Sequence, residues 1–285
     1  GTILNSRQVF DIPEKLIYVE EFQTEVKICS KCGCKNESSF PKGVKNKVQY
    51  GAKVKSVVSY LSQYQLIPYE RGTELFRDIF GKDISEGTIY NSNVELFDKL
   101  EKPEEAIKEL IINSPVVNYD ETSLRVNNLN YWLHVSCTKD LTFYAVDRNR
   151  SKEATDKIGI LPKFTGKAIH DNYALYFQYN CTHGLCNAHH HRELKGAFQE
   201  DGFIWSAQMS DLLFRIKSEV DKSTDTNTLS TNQLSLFENE YSKILEDGLK
   251  NYPITEINLK KKGRKKQSKP KNLIDRFIKR REEIL

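Results

Sequence analysis

The sequence predicts an α+β fold: a mixed sheet flanked by helices, preceded by a small cysteine-bearing β module and a helical region. Three observations carry this. Between Tyr50 and Leu100 apolar residues recur at three and four positions, the period of an amphipathic helix. From Pro115 the texture changes to short extended runs joined by tight turns. Near the N-terminus three cysteines, Cys29, Cys32 and Cys34, crowd into CSKCGC.

Taken in order, RQVFDI and KLIYVEEFQTEVKI read as short extended pieces leading into the Cys-x-x-Cys turn. SSFPKGVKNK follows as a linker. VKSVVSYLSQYQLI, GTELFRDIFG and ISEGTIYNSNVELFDKL read as three helices. Ser85 is placed to cap the third, and the Gly81-Lys82-Asp83 break gives a helix, turn, helix arrangement that suits either DNA reading or ordinary helical packing. PVVNYDETSLRV, YWLHVSCT and LTFYAVD read as three antiparallel strands with turns at Asn127-Asn128 and Lys139-Asp140. SKEATDKIGIL reads as a helix capped by Ser151, and GKAIHDN as a short buried strand. Residues 204–250 read as helical, broken by the polar stretch DKSTDTNTLSTNQ. The expected divisions are 1–45 for the β module and linker, 46–110 for the helical region, and 111–285 for the sheet domain with a helical insertion at about 204–270.

Composition narrows the function classes. The 285 residues are 38% hydrophobic and 29% charged, mean hydropathy is −0.59, and no apolar run is long enough to cross a bilayer. No secretory signal is visible, so a soluble protein of the cytoplasm is expected, with no membrane partner. Six cysteines in a chain of this size suggest metal chemistry in a reducing compartment rather than a disulfide framework. The net charge of +4 conceals a local excess: LKKKGRKKQSKPK carries eight Lys or Arg and no acid, leaving the rest of the chain at −4. Lys260, Lys261, Lys262, Arg264, Lys265 and Lys266 are the candidate phosphate contacts, and a solvated linker is the competing reading of the same run.

Two carboxylates stand out. Asp120 is read at the end of the first strand (VVNYDET) and Asp171 at the end of the fourth (AIHDN), 51 residues later. In a β-β-β-α-β sheet those strands are neighbours, so the pair can converge on a divalent cation, Mg or Mn. Hard oxygen ligands suit such ions, which activate an attacking oxygen and stabilise a leaving one at phosphorus. Capping of the turn after each strand is the alternative role for both.

Collinear segments along nearly the whole chain then resemble one family. They are RQVFDIPE, VKICSKCG, YGAKVKSVVSYLSQYQLIPYERGTELFRDIFG, ISEGTIYN, YDETSLRV, YWLHVSCT, DRNRSKEATDKIGILPKFTGKAIHDNYALYF, THGLCNAHHHREL and GRKKQSKPKNLIDRF. The family is the transposases of the bacterial insertion-sequence family numbered sixty-six, of the DDE class with a ribonuclease-H-like catalytic fold. The resemblance implies that Asp120 and Asp171 are the first two acids. It implies that the third is the Glu of an Asn-Asn-x-x-Glu-Arg segment beyond Leu285, so that Glu282 and Glu283 are not assigned and the chain is expected to be cut at both ends. It also implies DNA as partner, both transposon ends and target, and a homo-oligomer on DNA.

Cys29 and Cys32 form one zinc knuckle, half of a tetrahedral set, so the β module is expected to be a partial zinc ribbon. The family's other Cys pair lies upstream of RQVFDIPE. Cys34 is an awkward substitute. In Cys181-Thr-His183-Gly-Leu-Cys186-Asn-Ala-His189-His190-His191-Arg192-Glu193 the residue types suit zinc. His183, Cys186 and His189 match a family pattern after the second Asp; with Arg192 and Glu193 on a helix starting near Asn187 they are candidates for supporting the site, or for knitting helix to sheet. Three functions follow: a Mg-dependent DNA transposase, a DNA-binding-only remnant with silent chemistry, and a zinc-dependent hydrolase built on the Cys/His cluster.

Overall fold

The computed structural model describes residues 7–13, 16–222, 228–252 and 267–285. Two compact units divide the chain, Gly1–Pro103 and Glu104–Leu285.

In the first unit, β1 (Val26–Ile28) and β2 (Lys35–Glu37) form an antiparallel hairpin. The cysteine turn closes it: Cys29 N–H donates to Cys34 O at 2.9 Å and Gly33 N–H to Cys29 O at 2.9 Å, with Gly33 at φ 68, where a side chain would be strained. The extended pieces read across residues 7–28 form a described strand only at β1, because hairpin pairing is available there. The three helical readings correspond to α1 (Ala52–Ser59) continued by a π-helical turn at Tyr60–Tyr64, α2 (Tyr69–Phe80) and α3 (Glu86–Ile112). Gly81, left-handed at φ 63, ends α2. The Ser85 Oγ accepts the Thr88 N–H at 3.2 Å at the start of α3. Val58, Phe76, Ile84 and Ile89 make a small core.

The second unit is built on five strands: β3 (Val116–Val126), β4 (Leu129–Cys137), β5 (Thr142–Asp147), β6 (Lys167–His170) and β7 (Thr182–Leu185), in spatial order β5-β4-β3-β6-β7. β3, β4 and β5 are antiparallel. β6 runs parallel to both β3 and β7. Asn127 and Asn128 at φ 50 and 61 form the tight turn between β3 and β4, a backbone that asparagine tolerates better than most residues. Between β5 and β6 lies α4 (Lys152–Ile158), whose cap Ser151 accepts the Ala154 N–H. β7, absent from the expected β-β-β-α-β order, is a correction: its four residues THGL carry no alternation that distinguishes a strand.

Strand alternation gives β3 two unlike faces. Val117 and Tyr119 point toward a core with Ile111, Ile160, Leu161, Phe164, Ala168, Leu175, Tyr176 and Tyr179. On the other face, cross-strand partners set Asn118 opposite Cys137 and Asp120 opposite Val135, which is itself opposite Tyr144. Val116, Tyr144 and Val146 on that side are 43%, 61% and 56% exposed. Beyond β7 a helical core unites α5 (Asn187–Asp201), α6 (Ile204–Lys222), α7 (Thr231–Leu249), α8 (Lys269–Lys279) and α9 (Arg281–Ile284) around Leu194, Trp205, Met209, Tyr241, Ile274 and Phe277.

Gly166 shows how closely β6 enters the sheet. A Cβ there would lie 2.6 Å from Pro115 O and 2.9 Å from Ser114 O. The next residue, Lys167, donates its N–H to Pro115 O at 2.9 Å.

Candidate active site on the central strand

The parallel register of β3 and β6 aligns Val116 with Lys167, Val117 with Ala168 and Asn118 with Ile169. Extended by two residues, it brings Asp120 level with Asp171. Asp120 itself is not at a strand end, which corrects the expectation from sequence. β3 continues to Val126 because β4 keeps pairing with it after β6 has stopped. What ends near Asp120 is the parallel half of the sheet.

The two aspartates differ in their surroundings. Asp120 is exposed on the open face, and its Oδ1 accepts the Glu121 N–H at 2.9 Å. Asp171 is half-buried; its Oδ1 accepts the Tyr173 N–H at 2.9 Å, and its Oδ2 lies 3.5 Å from Arg150 Nη2. The same Nη2 lies 3.2 Å from Glu121 Oε2. Glu121 takes the opposite face of β3 from Asp120, and its side chain is only 3% exposed. The Tyr176 hydroxyl donates to Glu121 Oε1 at 2.6 Å.

Burial raises the Glu121 carboxyl above the usual carboxylate range, opposed by the Tyr176 hydrogen bond and Arg150 and reinforced by the Asp171 charge. Tyr176 is raised by burial and by its bond to Glu121. The Arg150 guanidinium is centred 4.1 Å from the Tyr173 ring and 5.4 Å from that of Trp132. Glu121, Arg150 and Tyr176 were not among the sequence candidates. The signal was present: alternation along VVNYDET puts Glu121 on the side of Val117 and Tyr119.

The histidines and cysteines after Asp171 do not assemble into a metal site. β7 stretches between Cys181 and Cys186, whose five-residue separation spans about 16 Å along an extended strand, too far for one ion. His183 instead meets His170, Nδ1 to Nε2 at 3.0 Å. Burial lowers His170 to about 4. Cys186 is the N-cap of α5, which begins at Asn187 as the sequence suggested. From that helix Glu193 pairs with Arg276 of α8 rather than reaching the aspartates, and Arg192 is exposed. His189 is half-buried, with Nδ1 unpaired.

Cys29, Cys32 and Cys34 are free thiols on the first unit's hairpin. Among the described residues no group of three or more His, Cys, Asp or Glu is arranged to hold a metal ion. The six basic candidates, Lys260, Lys261, Lys262, Arg264, Lys265 and Lys266, lie outside the described residues. No described helix is long and apolar enough to cross a membrane.

Comparison with protein families matches residues 47–285 to the Transposase IS66 family. The chain belongs to that family. The match takes in both aspartates of this IS66 transposase chain, the whole five-stranded sheet and the helices after it. No curated protein matches it. Among solved structures, a chain described as the cryo-EM structure of a simian T-cell lymphotropic virus intasome in complex with PP2A regulatory subunit B56 gamma is similar at 16% identity and a TM-score of 0.22. The likeness covers 43% of this chain and 46% of that one.

Proposed function

We propose that the chain is a DNA transposase of the DDE class, and that Asp120 and Asp171 are two of its metal-holding acids. The observation that supports the reading is the parallel pairing of β3, which carries Asp120, with β6, which ends just before Asp171, inside the family-matched region. Asp171 shares Arg150 with Glu121, whose side chain takes the other face of β3 from Asp120. Three antiparallel strands followed by two parallel ones support a ribonuclease-H-like catalytic domain over residues 111–285. The helices of residues 46–110 and the basic run at Lys260–Lys266 are assigned to DNA, and the working form is a homo-oligomer on transposon ends and target.

The donor chemistry fits magnesium or manganese. Each aspartate supplies hard oxygens, and Asp120 stands on the solvent-facing side of its strand, where waters complete an octahedral shell. A bound divalent cation would supply activation of the attacking oxygen and stabilisation of the leaving one in strand nicking and strand transfer. The chain's own residues do the positioning. The Tyr173 N–H orients Asp171, and the Glu121 N–H orients Asp120. Zinc on the Cys29/Cys32 hairpin is a second assignment, incomplete with the thiols present.

The test is metal-dependent cleavage of DNA bearing transposon ends. Asp120→Asn and Asp171→Asn should each lower cleavage at least a hundredfold while leaving DNA binding intact. Undiminished cleavage in either variant would sink the assignment. That no third ligand joins the aspartates among the described residues favours a second reading, DNA binding without chemistry. Tight binding with no cleavage at any Mn²⁺ concentration would establish it.

A further inference from the structure

Arg150 stands where a cation is wanted. One nitrogen, Nη2, faces the carboxylates of both Glu121 and Asp171, at 3.2 and 3.5 Å. Glu121 is the more deeply buried of the two, at 3% side-chain exposure against 33%. It is also fixed by the Tyr176 hydroxyl. The guanidinium is stacked near the rings of Tyr173 and Trp132 and is itself 27% exposed. Asp171 is the outer partner and Glu121 the inner one; the contact to Asp171 has hydrogen-bond geometry, whereas Glu121 Oε2 is buried in an ion pair that makes no hydrogen bond.

Two positive charges cannot share Asp171 at close range without repulsion, which at these distances is large enough to shift binding severalfold. We propose that Arg150 is a cationic placeholder. It neutralises Asp171 until a divalent ion takes that carboxylate, and Glu121 tethers the displaced guanidinium at the rim of the site. Arg150 and Glu121 are therefore positioning residues for metal loading, a role that rests on the assignment of Asp120 and Asp171 above. The arrangement keeps Asp171 from standing unneutralised near the buried Glu121 carboxyl, and it leaves one cation beside the site once the ion arrives.

The two substitutions have opposite signs. In Arg150→Gln the competing charge is gone, and Mn²⁺, followed by its electron paramagnetic resonance signal in the wild-type and variant chains, should bind about three to ten times tighter. In Glu121→Gln the tether is gone and the guanidinium settles on Asp171, so Mn²⁺ should bind about three to ten times weaker. A merely structural role would weaken binding in both. Arg148→Gln, which removes a nearby cation that stacks on Tyr131 instead, should leave affinity unchanged; an equal gain in that variant would reduce the effect to net charge and overturn the proposal.

Should Arg150→Gln fail to fold, the wild-type chain still decides. The Arg150 Nε–Hε signal, identified by its loss in Arg150→Lys, should move as Mg²⁺ is added; a signal that stays still through saturation overturns the placeholder. If Asp120→Asn and Asp171→Asn do not alter Mn²⁺ binding, the site assignment itself fails and the placeholder with it. If they abolish binding while the Arg150 and Glu121 variants behave alike, only the placeholder fails.

Discussion

The two faces of the central strand are built for different purposes, and the neighbours Asp120 and Glu121 show it. One carboxylate stands on a face where Tyr144 and Val146 are more than half exposed. The next is sealed against Tyr176 and Arg150 on the face that carries the core. A carboxylate that is to gather a hydrated ion must keep its water. One that is to hold a guanidinium gains from losing it. The covered side supplies rigidity and the open side supplies access.

The sharpest test of that contrast is Phe164→Ala on the covered face, where Phe164 is 2% exposed and meets the Tyr119 ring. It should cost about 3–5 kcal/mol. Urea unfolding followed by tryptophan fluorescence reads it well, since both tryptophans, Trp132 and Trp205, lie in the second unit.

Next in size is a proton effect in the covered helical layer. His190 is 2% exposed, its Nδ1 lies 3.1 Å from Asn187 Oδ1, and burial lowers it from 6.5 to about 4. The unfolded chain therefore takes up the proton first. Stability from the neutral ring is complete above pH 6.5 and is lost as pH falls toward 4, by about 3 kcal/mol. His190→Gln should flatten that part of the stability profile, and an unchanged slope would contradict it.

Gly166→Ala should cost about 1–3 kcal/mol, since its methyl would press on the Pro115 and Ser114 carbonyls where β6 joins β3. If the aspartates depend on that junction, cleavage should fall further than stability alone explains. Tyr144→Ala on the open face should change stability by about 0.5 kcal/mol or less in the same unfolding experiment. A loss comparable to that of Phe164→Ala would show that the face is covered in solution and would break the contrast.

Much of this architecture could be read from residue order. The Asn-Asn pair announced the β3–β4 hairpin and Ser151 the start of α4, because turns and caps depend on local chemistry. That β3 and β6 are neighbours followed from the order of strands. What escaped depends on partners distant in sequence. β7 exists because β6 offers it an edge, not because THGL favours extension. The length of β3 past Asp120 reflects the reach of β4. Arg150 is separated from Glu121 by 29 residues and from Asp171 by 21, so only the folded sheet reveals that one guanidinium serves both. The Cys/His run was misleading for the complementary reason: ligand types can be adjacent in sequence while a strand holds them apart.

The Asn127-Asn128 turn has a reach greater than its two residues. Because side chains alternate along a strand, sliding β3 by a single position against β4 would exchange the wet acid for the dry one. The chain reverses at a backbone geometry that few residues accept, and in doing so keeps count for a carboxylate seven residues upstream. An added residue at that bend would turn the Asp120 carboxylate inward.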